Sequence, residues 1–380
     1  MPTWQGGGDD VSRMSPGVAR AEPVGSLLRP AKLLEARRDH EDGKLAPAEF
    51  KRIEDAAVDR AISLQQSTGL DVVTDGEQRR SHFTSPLSDA VDGMGEIPAD
   101  RIGWHGSAPA DEMTYAHRRA VTDRLRHARS LAQEEFVYLR ARATQPTKIT
   151  LPSPLMMQTF WSQEHSTAAY RDPFEMFADA AALLSEEIAQ LAALGCGYVQ
   201  IDAPELATLV DDSVRAGFSE RGIDPDRLLG DGVDILNDVA ATPGVRHALH
   251  LCRGNRDGHW MAAGGYEKIS KQVFRRATRF DAFFLEYDDE RSGGFEPLAD
   301  LPRDRFVFLG LVSTKRPALE RPDQLLSQIE EASHFYPLDQ LGLSPQCGFS
   351  SAIGSYPLDA VQQQRKLRLV SDVARLAWPV

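Results

Sequence analysis

Residues 247–255 read His-Ala-Leu-His-Leu-Cys-Arg-Gly-Asn, and they predict a short strand that ends at a polar turn. Side chains two positions apart in a strand point to the same face, so His250 and Cys252 are expected to face one space beyond its carboxyl end. Imidazole and thiolate are the favoured zinc ligands. Taken alone, this tripeptide is more often a buried cysteine beside a locally hydrogen-bonded histidine, so the surrounding chain must decide.

The composition sets the class of protein. Of 380 residues, 42% are hydrophobic and 26% are charged, and the formal net charge is −13. This acidic balance argues against a nucleic-acid partner, because such binding depends on basic surfaces. No apolar run reaches membrane-spanning length, and the N-terminus has no signal pattern, so no membrane association is expected. Three cysteines do not make a disulfide framework, which predicts a cytoplasmic protein.

The order of predicted elements indicates the architecture. Short apolar runs alternate with helical segments, and the predicted strands lie near residues 23–30, 70–74, 147–151, 198–201, 247–252, 282–286, 306–312 and 341–344. This pattern predicts an α/β fold of the (β/α)8 TIM-barrel class with long loop insertions. An open doubly wound sheet is the alternative, but no Gly-x-Gly-x-x-Gly follows an early strand.

The chain is predicted to have a simple domain organisation. Residues 1–21 lack an apolar period and are predicted to be a flexible arm or an arm against a neighbouring subunit. Residues 22–380 are predicted to be a single catalytic barrel. A loop and helix segment is inserted at about 82–145, with a helix expected over 121–140. Closure of the barrel mouth and a contact within a homo-oligomer remain alternative roles for this segment.

Polar residues follow every predicted strand. They are Ser26, Asp75, Glu77, Ser153, Asp202, His250, Cys252, Glu286, Lys315 and Cys347. The active site of such a barrel is built from the carboxyl ends of its strands, so residues far apart in sequence can meet there. His250, Cys252, Glu286 and Cys347 make a plausible tetrahedral zinc set. Their long sequence gaps favour a site assembled by the fold, in which the carboxylate is the exchangeable ligand.

This ligand set predicts a type of chemistry. Two thiolates and a carboxylate give the metal a negative first shell, which is poor for activating water. Such a zinc ion can still hold an incoming thiol as its thiolate, the nucleophilic form. The sequence therefore leads to the hypothesis of a thiol alkyltransferase in which Glu286 is the ligand displaced by the substrate.

These motifs resemble a known family. The resemblance runs from about Pro23 to Trp378 and is to the catalytic barrel of cobalamin-independent methionine synthase. It is carried by Val24-Gly25-Ser26, Asp75-Gly76-Glu77, Ile201-Asp202-x-Pro204, His250-x-Cys252, Glu286 and Gln346-Cys347-Gly348. The local sequence around His250, Glu286 and Cys347 resembles the single-barrel branch of this family more closely than the full-length synthase. That branch also includes epoxyalkane:coenzyme M transferases.

The resemblance implies roles for individual residues. It assigns zinc to His250, Cys252, Glu286 and Cys347, and methyl transfer from a methyltetrahydrofolate-type or other donor to homocysteine. Ser26, Glu77 and Asp202 match residues that hold the amino-acid part of the thiol substrate, and Asp75 is grouped with them. Two carboxylates suit an ammonium group, and a Gly-Ser turn offers donors to a carboxylate. Trp161 matches a tryptophan that lies against the donor's ring, although a core or lid position is the simpler explanation of it.

Several departures from the family pattern keep the donor open. The full-length synthase carries a second, N-terminal barrel that has no counterpart here. Lys315 stands where a histidine is expected after the seventh strand, and it could act as the acid if burial lowered its pKa. Ala203 stands where the synthase has a glutamate.

Other functions therefore remain as alternatives: addition of coenzyme M to an epoxide, thiol alkylation in secondary metabolism, and a non-catalytic zinc barrel that partners a methyl carrier. Two further features have ordinary explanations. Arg79 and Arg80 are expected to be a solvent-exposed pair rather than an anion site. Cys196 is expected only to pack.

Overall fold

The computed structural model describes residues 19–105, 112–354 and 356–379. Within these residues a sheet of six parallel strands forms the centre of the molecule, and each strand pairs with its neighbour in chain order. The strands are an antiparallel pair, β1 (Val91–His105) and β2 (Glu112–His127), and the parallel set β3 (Ile149–Pro152), β4 (Tyr198–Asp202), β5 (Arg246–Leu251), β6 (Ala282–Glu286), β7 (Phe306–Val312) and β8 (Leu341–Pro345). The parallel strands are almost wholly buried, as expected when both faces of a sheet are covered.

Two shorter segments join the edges of this sheet. Ala21 pairs in parallel with Leu343 of β8, and Val73 pairs in parallel with Thr147, two residues before β3. The Asp71 N–H donates to the Ala21 carbonyl oxygen at 2.9 Å, which links the two segments to each other. The hydrogen bonds therefore run from β8 through both segments to β3, and the predicted (β/α)8 barrel is confirmed.

The first barrel segment lies earlier than the sequence suggested. The strand predicted over 23–30 is absent from the described residues, and the pairing occurs at Ala21, which had been assigned to the arm. The reason is local, because the Asp71 carboxylate accepts hydrogen bonds from the N–H groups of Arg20 and Ala21 at 2.7 and 2.9 Å. The rest of the predicted arm, residues 1–18, lies outside the described residues.

The strands alternate between two apolar clusters. Phe283 and Leu285 of β6 pack with the surrounding helices, whereas Phe284 belongs to a smaller cluster inside the barrel. There it stacks on Phe308 of β7 with ring centroids 4.4 Å apart. This alternation follows from the two-residue period of a strand. Because the strands are apolar on both faces, polar side chains occur mainly at their carboxyl ends.

The helices surround the barrel. They are α1 (Ala31–Glu41), α2 (Pro47–Thr68), α3 (Ser85–Ser88), α4 (Gln133–Arg140), α5 (Gln163–Ser166), α6 (Pro173–Ala193), α7 (Pro204–Thr208), α8 (Asp212–Glu220), α9 (Pro225–Arg227), α10 (Val233–Val239), α11 (Ser270–Arg276), α12 (Pro322–Ser333) and α13 (Ala360–Ala377). Short 3-10 turns occur at Pro154–Phe160, Tyr266–Lys268, Glu290–Ser292, Glu296–Asp300 and Leu338–Gln340, and a π turn occurs at Leu228–Gly232. The Asp172 side chain caps the N-terminus of α6 by accepting a hydrogen bond from the Phe174 N–H. In the described ranges, no helix combines the length and apolarity needed to cross a membrane.

The inserted segment differs from its prediction. The helix expected over 121–140 is wrong for its first half, because β2 extends to His127 and pairs with β1 as a long antiparallel hairpin. Only Gln133–Arg140 is helical. The far end of β1 is also tied to the loop after β5, since His105 and Trp260 exchange backbone hydrogen bonds at 2.8 and 2.9 Å. The hairpin therefore reaches across to the loop that begins at Cys252.

Candidate metal centre

His250, Cys252 and Cys347 meet at the carboxyl ends of β5 and β8. One ligand atom from each lies within 4.8 Å of the others, and all three residues are buried. Residues 250 and 252 share a face because they are two apart, and β8 brings Cys347 to the same end of the barrel. Three of the four predicted zinc ligands are thus brought together, although Cys252 and Cys347 are 95 residues apart in sequence.

His250 is oriented by Asp202. These residues are paired across β4 and β5, and the His250 Nδ1 lies 2.9 Å from the Asp202 Oδ1. Burial alone would lower the pKa of His250, but the hydrogen bond with Asp202 and the charge on Cys347 raise it to about 10. The other ring nitrogen, Nε2, is buried, and the second side chain that interacts with the ring is the Cys347 thiol. The raised pKa means that Nε2 holds a proton, which a metal ion bound there would displace, and an imidazole fixed through Nδ1 is typical of a metal ligand.

The thiols of Cys252 and Cys347 are in hydrogen-bond contact. The Cys252 and Cys347 Sγ atoms are 3.7 Å apart. Their hydrogen bond raises the pKa of Cys252 and lowers that of Cys347, and the nearby His250 lowers the pKa of Cys347 further. Two cysteine sulfurs and one imidazole nitrogen in a single buried group are a donor set that suits Zn²⁺, so the residues present fit the metal that the sequence predicted.

Glu286, the fourth predicted ligand, lies outside this group. Its carboxylate accepts from Lys315 Nζ at 2.8 Å, from Arg291 Nη2 at 2.9 Å and from the Arg253 backbone N–H at 2.6 Å. Burial alone would raise the pKa of Glu286, but Lys315, Arg291 and Arg253 lower it well below its usual range. The carboxylate is nevertheless close enough to raise the pKa of Cys252.

The surroundings of Lys315 do not match those expected of a catalytic acid. That role needed a lowered pKa, whereas its pKa is raised, because Asp288 and Glu286 outweigh the effect of burial. Its ammonium group is bound to Glu286. Lys315 therefore belongs to the ion-pair cluster around Glu286.

The metal-ligand group opens into a cavity of about 1070 Å³. The predicted binding residues Ser26, Glu77, Asp202 and Trp161 line this cavity together with His250, Cys252 and Cys347. Asp75, Glu286 and Lys315 do not line it. Asp75 instead accepts from the Glu77 N–H at 2.9 Å and holds the turn in which Glu77 has a positive φ of 54°.

Ser26 and Glu77 are held by close backbone contacts. A side chain at residue 25 would collide with the Glu77 carboxylate and the Thr150 methyl group, and one at residue 348 would collide with the Ser26 hydroxyl. A larger residue at either position would therefore displace these side chains. Burial raises the pKa of Glu77 to about 7, with Arg80 acting to lower it. A Glu77 carboxylate in this position favours a cationic partner.

Trp161 packs in the wall of the cavity and is 6% exposed. Its indole Nε1 donates to the Arg221 carbonyl oxygen at 3.1 Å, so the orientation of the ring is fixed. A fixed aromatic face in the wall of a cavity can stack on a flat ligand ring.

Glu205 is a site residue that the sequence analysis missed. It lies in α7, three residues after Asp202, and its buried carboxyl group lines the cavity. The signal for it was its place just beyond a strand's carboxyl end, one residue after the Ile201-Asp202-x-Pro204 motif.

The fold and the position of the cavity define an enzyme-type barrel. The model of the cobalamin-independent synthase family, catalytic domain, matches residues 20–368, and the chain belongs to this family of methionine synthase-like methyltransferases. The uncharacterized protein YxjH of Bacillus subtilis (strain 168) is 36% identical over 364 residues, which cover 94% of each protein.

Two further comparisons extend the likeness. A methionine synthase of Pyrococcus abyssi (strain GE5 / Orsay) is 24% identical over 327 residues, covering 86% of this chain and 84% of that protein. The structure of a B12-independent methionine synthase from Shewanella sp. W3-18-1, in complex with selenomethionine, superimposes with a TM-score of 0.73 at 20% identity. That match covers 94% of this chain and 97% of the other and supports the same fold.

Proposed function

We propose that this protein is a zinc-dependent thiol alkyltransferase that transfers a methyl group to homocysteine and forms methionine. The observation that carries the proposal is the buried group of His250, Cys252 and Cys347, which opens into a cavity also lined by Glu77 and Asp202. The family and the methionine synthase relatives support the same reaction class. The methyl donor is proposed to be of the methyltetrahydrofolate type.

His250, Cys252 and Cys347 would hold the zinc ion. Bound zinc lowers the pKa of a substrate thiol, so the nucleophilic thiolate is present at neutral pH. Glu286 is proposed as the exchangeable fourth ligand, because its carboxylate is ionised and next to Cys252 but is held by Lys315 and Arg291. Lys315 and Arg291 would remain as partners of the Glu286 carboxylate when the substrate thiol replaces it on the zinc ion.

Glu77, Asp202 and Ser26 are proposed to bind the amino-acid part of homocysteine. Two carboxylates lining one cavity suit its ammonium group, which would also favour the ionised form of Glu77. The Ser26 hydroxyl can donate to its carboxylate. Trp161 would stack on the donor.

The proposed chemistry needs Cys252 and Cys347 as free thiols, which persist in reducing compartments, so we place the enzyme in the cytoplasm.

The test of this function is a calorimetric titration of the zinc-loaded protein with homocysteine and, separately, with coenzyme M. Buffers of different ionisation heat report the proton that a captured thiol must release. Homocysteine is expected to bind with proton release and to yield methionine when a methyltetrahydrofolate is added. Binding of coenzyme M alone would transfer the proposal to epoxide chemistry, and no proton release with either thiol would overturn it.

Asp202→Asn is expected to weaken zinc binding about 10- to 100-fold, because the hydrogen bond that fixes the orientation of His250 loses its charge. Homocysteine binding should weaken as well, since one of two acids for its ammonium group is removed. Competition with a chelator measures the first effect and calorimetry the second. Asp172→Asn, at the cap of α6, is the matched control and should change neither value. Unchanged zinc affinity in Asp202→Asn would contradict the role of Asp202.

A further inference from the structure

Glu205 differs from the other acids at the carboxyl ends of the strands. It is 2% exposed and lines the cavity, and among the described residues the one side chain that offers its carboxyl group a hydrogen bond is Ser153, which acts to lower its pKa. Glu77 accepts from Thr150, and Glu286 is held by two cationic side chains. In the described part of the chain, no cation among the influences on its pKa stabilises the charge of Glu205 in this way.

The consequence is a neutral carboxyl group at the cavity wall. Burial raises the pKa of Glu205 to about 8, and the charge on Asp202 adds to the rise. At neutral pH most of the group is therefore protonated and can offer one O–H donor. The Ser153 hydroxyl can donate to one carboxyl oxygen, which leaves the acid's own O–H for a ligand in the cavity.

The proposed reaction needs such a donor. When a methyl group leaves a tertiary amine, the nitrogen keeps the electron pair of the broken bond and is a poor leaving group unless it is protonated. Lys315 was the acid that the sequence suggested, but it is bound to Glu286, and its side chain does not line the cavity. Glu205 lines the same cavity as Trp161, against which the donor is proposed to lie.

We propose that Glu205 is the catalytic acid of the reaction and protonates the leaving nitrogen of an N-methyl amine donor. This inference rests on the proposed function. The Glu205 proton passes to the donor nitrogen, the carbon–nitrogen bond breaks, and its electron pair stays on that nitrogen. The substrate thiolate supplies the pair for the new carbon–sulfur bond. Glu205 is left as a carboxylate and regains a proton from water when the products leave.

The test compares two methyl donors in single turnovers of the zinc-loaded enzyme with homocysteine. The first is 5-methyltetrahydrofolate, whose nitrogen must be protonated, and the second is methyl iodide, whose iodide leaves without a proton. Glu205→Gln is expected to slow transfer from the amine by about 10²- to 10⁴-fold, the usual contribution of a general acid. Transfer from methyl iodide, above the uncatalysed background, should stay within about threefold. Glu205→Asp keeps an acid and should recover part of the lost rate.

The possible results distinguish an acid role of Glu205 from a structural role, and they distinguish failure of the Glu205 proposal from failure of the proposed function. Equal losses with both donors, or no loss with either, would overturn the role of Glu205. If the wild-type enzyme uses methyl iodide and no N-methyl amine, Glu205 is not the acid but thiol alkylation stands. If it uses neither donor, the proposed function fails. Glu164→Gln, which changes an exposed acid at the cavity rim, is the matched control and should keep both rates.

Discussion

Replacing Cys347 with serine is expected to remove bound zinc and, with it, nearly all methyl transfer to homocysteine. Loss of an outer hydrogen-bond partner weakens a metal site by about 10- to 100-fold, and loss of a direct ligand should cost more, on the order of 10³-fold. Cys347 is the thiol whose pKa the surroundings lower, so it is the better thiolate ligand of the pair. The bound zinc per protein chain and the rate of methionine formation measure the two effects.

Cys196→Ser is the matched control for this variant. Cys196 is also a buried free cysteine, but its Sγ donates to the Tyr198 carbonyl oxygen at 3.4 Å and it lies outside the metal-ligand group. A hydroxyl can make the same contact, so zinc content and activity should persist. Full zinc occupancy and activity in Cys347→Ser would contradict both the metal centre and the thiol chemistry derived from it.

The sequence was informative where regular strands determine position. His250 and Cys252 lie on one face because of the two-residue period, and Asp202 lies beside His250 because parallel strands β4 and β5 are in register there. Cys347 follows from the same rule, since all strands of a barrel end at one mouth. These residues could be placed without any knowledge of loop structure.

The sequence was less informative where loops and ion pairs determine the position of a side chain. Glu286 follows a strand as predicted, but its carboxylate is held by Lys315 and Arg291, two residues from separate loops. No local pattern shows which cation will reach which acid. The hairpin at 91–127 was missed for a related reason, because register shifts interrupt its pairing and glycines obscure its alternation.

Arg80 shows how far burial can depend on distant sequence. With Arg79 it was expected to be a solvent-exposed pair, yet its side chain is 3% exposed. Its guanidinium donates to Glu135, 55 residues away, with a shortest distance of 2.6 Å, and to the Thr150 carbonyl oxygen at 2.8 Å. It thereby links the loop of Glu77, the inserted helix α4 and strand β3. Only the folded chain reveals this contact.

Arg80→Leu is expected to destabilise the protein by about 3–5 kcal/mol, because it leaves the buried Glu135 without its partner. Burial already raises the pKa of Glu135, and Arg80 is the largest opposing influence. Urea denaturation measures the loss. The double variant Arg80→Leu/Glu135→Leu should recover much of the stability, since Glu135 is then no longer a buried charge without its partner. Arg321→Leu, which breaks the exposed pair with Asp323, is the control and should leave the urea midpoint nearly unchanged.

The same substitution is expected to weaken homocysteine binding. Arg80 is the main influence that lowers the pKa of Glu77, which burial raises to about 7. Without Arg80 this pKa rises, so at pH 7 a larger fraction of Glu77 is protonated and cannot pair with the substrate ammonium group. The affinity of folded Arg80→Leu for homocysteine should therefore recover as the pH is raised above 7, whereas its stability deficit should persist because Glu135 remains unpaired. If binding and stability changed together at every pH, Arg80 would act on the site through folding alone.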